Sequence, residues 1–187
     1  MSAAEVVELL RERRVALEAG LSEAELRRAE RRYGVRFAPD HRELLALALP
    51  VADGWYDWRA RADKRVRDAI RAPFEGVLFD VENNVFWPAS WGQRPDSVEA
   101  RFEVVKQQVT TWPQLVPLYG HRYLPAAPFG PGAPVFSVVQ TDVIVFGTNL
   151  LDYAAREFGT PRALPEAVLA TRGLEPWSLL AFEEDVP

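Results

Sequence analysis

Residues 117–153, PLYGHRYLPAAPFGPGAPVFSVVQTDVIVFGTNLLDY, restrict the fold more than any other part of the chain. Pro128, Gly130, Pro131, Gly132 and Pro134 exclude a helix across the middle of this run, because proline lacks a backbone donor and glycine loses most entropy on ordering. Val135–Val139 then combines β-branched and aromatic residues and reads as a strand. Gln140, Thr141 and Asp142 make a connection, and residues 143–146 return as an apolar strand expected near the centre of a sheet. Asn149 reads as the N-cap of a helix through Phe158, with Asp152 in its first turn and Gly159 at its end. Residues 116–125 read as a compact turn. A chain carrying this run must build sheet and helix into one unit.

The rest of the sequence supplies mostly helices. Val6, Leu9, Leu10 and Leu17 fall at helical spacing over residues 3–19, with Gly20 as the stop. Ser22 and Glu25 have the S-x-x-E spacing of a capping box and open a second helix, closed by Gly34. Pro39 and Asp40 open a third, ended by Pro50. Residues 51–61 read as a loop, and 64–71 as a short helix. Residues 74–81, FEGVLFDV, read as a strand that turns at Asn83 and Asn84 and returns over 85–87, making a hairpin. Residues 96–111 read as an amphipathic helix, with Asp96 and Glu99 at capping-box spacing and Val98, Phe102, Val105 and Val109 on one stripe. Helices that precede a block of strands indicate an α+β fold rather than alternating βαβ units. The expected architecture is a single domain over residues 1–187: a helical N-terminal third and a twisted, mostly antiparallel sheet flanked by helices. Residues 1–20 and 160–187 are read as decorations.

Composition narrows the chemistry. The chain has no cysteine, which removes disulfides and thiolate chemistry and suits a reducing cytoplasm. No apolar run is long enough for a membrane span, and no signal peptide is read at the start. The formal net charge is −5, and the arginines of RERR and RRAERR are interleaved with glutamates. That pattern fits solvated helix faces better than a nucleic-acid surface, and an acidic surface suits a basic protein partner. His121, Ser137 and Asp142 can be written as a triad, but Ser137 lies inside a strand rather than on a strained elbow. Asp80 and Glu82 would share one strand face, with no third ligand in a metal-binding pattern. His41 and His121 form no HExxH motif. No catalytic residue, metal site or cofactor is therefore assigned. Trp55 and Trp58 read either as cover for the core edge or as anchors of a binding rim.

Three segments resemble the SUKH superfamily of cell-wall-assembly regulators and bacterial toxin-immunity proteins. They are LSEAELRRAERRYGVRFAPDHRELLAL, GVLFDVENNVFWPASWGQRP, and HRYLPAAP followed by GAPVFSVVQTDVIVFGTNLLDYAAREF. The resemblance implies a non-enzymatic, cytoplasmic binding domain that neutralises a toxin, a basic one by charge, through direct contact. A regulatory scaffold or small-ligand-binding domain is the alternative, and a hydrolase the third reading. The expected partner surface comprises Asp53, Trp55, Trp58, Trp87, Trp91, His121, Arg122 and Tyr123.

Overall fold

A computed structural model describes residues 3–159, 172–182 and 186. Helix α1 (Ala3–Glu12) precedes a short strand β1 (Leu17–Ala19), then α2 (Glu23–Tyr33), α3 (Pro39–Leu47) and strand β2 (Ala48–Pro50). After a loop comes the long helix α4 (Lys64–Glu82), a 3-10 turn at Ala89–Trp91, and α5 (Val98–Val109). Strands β3 (Leu115–Tyr119), β4 (Arg122–Pro125), β5 (Val135–Val139) and β6 (Asp142–Gly147) follow, then α6 (Leu150–Phe158) and α7 (Trp177–Ala181). The domain is α+β. Its main sheet is an antiparallel meander in the order β3-β4-β5-β6, and β1 pairs with β2 in a separate two-stranded ribbon.

Alternation along the strands sends the two sheet faces to different partners. Tyr123, Phe136, Val138 and Val143 point to one side, where they meet Val77 and Val81 of α4, Val105 and Val109 of α5, and Trp177 of α7. Leu118, Leu124 and Val135 point to the other side, against Val6 and Leu10 of α1 and Tyr153 of α6. A third apolar cluster joins Leu26 of α2, Leu45 of α3, Trp58, Val66 of α4 and Val116 of β3. Both chain ends thus contribute to the core: Leu10 at one end and Leu174 at the other are fully buried.

Several local expectations hold. Ser22 and Glu25 form a reciprocal capping box, and Gly34 ends α2 in the left-handed conformation. Asn149 caps α6 through bonds from the N–H groups of Leu151 and Asp152. The largest correction concerns residues 74–87, which do not form a hairpin: α4 runs without interruption to Glu82. Val77 and Val81 stand one turn apart and are both fully buried against the sheet, so burial overrides the β-propensity of FEGVLFDV.

Pro73 inside this helix cannot donate to the carbonyl of Ala69. The Tyr123 hydroxyl donates to that carbonyl instead, at 3.0 Å. The bond ties α4 to the sheet where the helix lacks its own.

Other corrections are smaller. Helix α1 stops at Glu12, the chain turns at Arg14 with φ 57°, and residues 17–19 enter the ribbon. Gly20 is needed for proximity rather than as a helix stop, since a Cβ there would lie 1.9 Å from the Ala46 carbonyl oxygen. The N-cap of α5 is Ser97, one residue beyond Asp96. Residues 116–125 form the β3–β4 hairpin rather than an isolated turn. Strand β6 lies at the sheet edge, not the centre, with Ile144 half exposed.

Candidate functional site

The first half of α4 and the turn ends of the main sheet enclose an open groove of about 560 Å³. Ala69, Ala72 and Gly76 line it from the helix, while Tyr123, Val138 and Val139 line it from the strands. Arg65, Asp68, Glu75, His121 and Gln140 supply polar groups around this largely apolar floor. The helix comes unusually close to the sheet at its end. A Cβ on Gly76 would lie 2.6 Å from the Gln140 Cα. Four residues on, the buried carboxylate of Asp80 accepts hydrogen bonds from the N–H and hydroxyl of Thr141, at 2.9 and 2.6 Å. Gly76 and Asp80 together clamp the β5–β6 turn, where Gln140 is held at φ 58°.

The opposite wall is fixed through the loop before α4. Tyr56 donates from its hydroxyl to the Gly120 carbonyl at 2.6 Å, and the Gly120 N–H donates to the Gly54 carbonyl at 2.8 Å. Trp55 bridges to Tyr119 beside this pair. Gly54 has φ 88°, and a Cβ there would lie within 2.4 Å of the Tyr119 ring, so both backbone and space require glycine. Burial raises the pKa of the Tyr56 and Tyr123 hydroxyls, which keeps both as neutral hydrogen-bond donors. Partial burial, reinforced by the neighbouring Arg122 charge, lowers the pKa of His121. Its imidazole is neutral at pH 7.

The eight residues expected to form one surface are distributed over different parts of the molecule. His121 and Tyr123 line the groove, and Asp53 is exposed beside the Gly54 anchor. Trp55 is buried, stacked on Phe158 of α6 with ring centroids 5.6 Å apart. Trp58 is only 2% exposed and packs edge-on against Phe37, so it is core rather than rim. Trp91 is likewise buried, and Trp87 contacts it edge-on, with the Arg94 guanidinium over the Trp87 ring. These two belong to a chain of aromatic contacts through Trp112 to Trp177. Arg122 points to the other sheet face, where it stacks over Phe146, pairs with Glu157 at 3.1 Å and donates to the Ser137 hydroxyl at 2.9 Å.

The contributions of Tyr56, Arg65, Asp68, Ala69, Ala72, Glu75, Gly76 and Gln140 to the groove were not anticipated. The spacing of Ala69, Ala72 and Gly76 on one helix face was the available signal, but it is visible only if α4 is continued past Arg71.

Three of the polar groups that invited a catalytic reading, Ser137, Asp80 and Glu82, have structural partners. Ser137 accepts from Arg122, Asp80 holds Thr141, and Glu82 forms a bidentate pair with Arg101 at 2.9 and 2.7 Å. Among the described residues, no group of three or more His, Asp or Glu side chains is placed to hold a metal ion. No helix among them is long and apolar enough to cross a membrane. No family model matches the chain, and no curated protein or solved structure matches it.

Proposed function

We propose that the protein is a non-catalytic binding domain that acts in the cytoplasm as an immunity protein, occupying a toxin through the α4 groove. The observation that carries this reading is the groove itself, an apolar floor left open beside a polar rim, while Ser137 and Asp80 are engaged in the fold. Exposed apolar surface rimmed by polar groups is the ordinary anatomy of a protein-binding site. The rim charges are mixed, with Glu75 and an Asp68 already paired to Lys64 at 2.6 Å set against Arg65, so the preference for a basic partner rests on the net charge of −5 of the whole chain. The sequence resemblance to SUKH immunity proteins points the same way.

Co-expression tests this reading. The chain is produced together with the C-terminal toxin domain of a secreted protein encoded beside its gene, and cell survival is scored. Protection is expected, and Ala72→Arg, which introduces a long side chain from an exposed position on the groove wall, is expected to abolish it without changing the melting temperature. Absence of protection by the unaltered chain would overturn the immunity reading. Full protection by Ala72→Arg would remove the groove from it.

A second reading rests on the groove volume, which lies within the range of small-molecule sites. On that reading the domain is a ligand-binding or regulatory module. Ligand-induced stabilisation that Ala72→Arg removes, without protection from any toxin, is its signature.

A further inference from the structure

A separate concavity, of about 660 Å³, is walled by four arginines. Arg28 and Arg32 project from successive turns of α2, and Arg59 and Arg61 come from the loop between β2 and α4. Their charges are not equally compensated. Arg59 is saturated: it donates to Glu25 at 3.0 Å, to Glu18 at 2.7 Å and to the Ala19 carbonyl at 2.8 Å. Arg32 donates to the Ala60 carbonyl at 2.6 Å and has no carboxylate partner among the described residues. Arg28 and Arg61 are exposed and have no partner among the described residues. Like charges at positions i and i+4 of a helix repel one another. Arg28 and Arg32 are such a pair, and the loop brings Arg61 toward them.

The loop that carries Arg59 and Arg61 is held at several points. The Asp57 carboxylate accepts from the N–H groups of Arg59 and Ala60, at 2.9 and 3.2 Å. The Asp63 N–H donates to the Tyr33 hydroxyl at 3.1 Å. Arg32 itself fixes the loop through Ala60. The backbone of the cationic wall and its Arg32 side chain are therefore pre-organised, and the ordering left for a ligand to induce falls on the Arg28 and Arg61 side chains.

We propose that this cleft binds a phosphate group, free or carried by a small ligand. Three guanidinium groups without carboxylate partners among the described residues converge on it from α2 and the loop before α4. A phosphate offers three terminal oxygens and close to two negative charges, so it satisfies several such donors at once, whereas a carboxylate offers two oxygens in one plane. The arginine-rich motif RRAERR read from the sequence as a solvated helix face; Arg28 and Arg32 of that motif face the cleft.

Isothermal titration of the full chain at about 0.15 M salt, where long-range attraction is screened, tests the assignment. Inorganic pyrophosphate and metal-free ATP are the phosphate probes, and citrate is the carboxylate probe. Saturable one-site binding of pyrophosphate or ATP is expected; pyrophosphate as the tighter probe assigns free phosphate, and ATP as the tighter probe assigns a carried one. Arg28→Ala and Arg61→Ala are each expected to weaken binding by roughly tenfold or more, the size of one lost charge-assisted contact. Arg31→Ala removes the same charge from α2 outside the cleft and is expected to leave affinity unchanged. No saturable binding, citrate bound as tightly as the phosphates, or equal weakening by Arg31→Ala would each overturn the proposal.

Discussion

Tyr123 and Pro73 are energetically coupled through one carbonyl. Pro73 has no N–H, so the Ala69 carbonyl in the preceding turn of α4 lacks its helical donor, and the Tyr123 hydroxyl supplies the bond at 3.0 Å. Tyr123 is 2% exposed, and Ala69 is also buried. Tyr123→Phe keeps the ring and removes the hydroxyl donor from that buried acceptor, a loss of about 1–3 kcal/mol. Pro73→Ala restores a backbone N–H to the same carbonyl. In that background the carbonyl gains its ordinary helical donor, so removal of the hydroxyl costs about 1 kcal/mol less. Urea unfolding of the unaltered chain, the two single variants and the double variant measures the coupling directly. The result that refutes the reasoning is additivity within about 0.5 kcal/mol, which would show that Tyr123 contributes through ring packing alone.

Three further outcomes follow from the same structure. His41 is buried with neither ring nitrogen hydrogen-bonded among the described residues, and burial pushes its pKa down from 6.5 to about 3. The unfolded chain therefore takes up a proton first: stability is fully present above pH 6.5 and declines by about 1.4 kcal/mol per unit as pH falls toward 3. His41→Phe is expected to lose about 2 kcal/mol less than the unaltered chain between pH 8 and pH 5, and identical pH profiles would exclude His41 as the source. Gly76→Ala, favourable by about 1 kcal/mol on helix propensity, is expected instead to destabilise by about 1–3 kcal/mol, because the new methyl meets the Gln140 backbone; a rise in melting temperature would mean that the β5–β6 turn moves freely. Ser22→Ala is expected to cost about 1 kcal/mol through loss of the N-cap bond to Glu25, and an unchanged urea midpoint would show that the capping box adds nothing measurable.

The site was far less legible in the sequence than the fold. His121 and Tyr123 were expected at a surface and do line the groove, but Trp58, Trp91 and Arg122 were assigned to that surface from residue type alone. Residue type does not say which way a side chain points. Tryptophan anchors binding rims and fills cores with equal chemistry, and only the packing of Trp58 against Phe37 decides the case. The four arginines of the phosphate cleft are likewise separated in sequence, and their convergence depends on how the loop after β2 is tied to α2.

The sequence by itself determined the elements whose signals are local. The capping box of α2, the Asn149 cap of α6 and the strand character of Val135–Val139 all depend on residues within a few positions of one another. Tertiary structure decided what those local preferences leave nearly balanced. Residues 74–81 have β-type composition, yet helix propensities among such residues differ by less than about 1 kcal/mol each, while burying one valine is worth about 1.5–3 kcal/mol. A strand would put Phe79 on the same face as Val77 and Val81, whereas Phe79 is half exposed and the two valines are fully buried against the sheet, the one-turn spacing of a helix, so burial selected α4. The same long-range packing set β6 at the sheet edge and opened the groove between helix and strands.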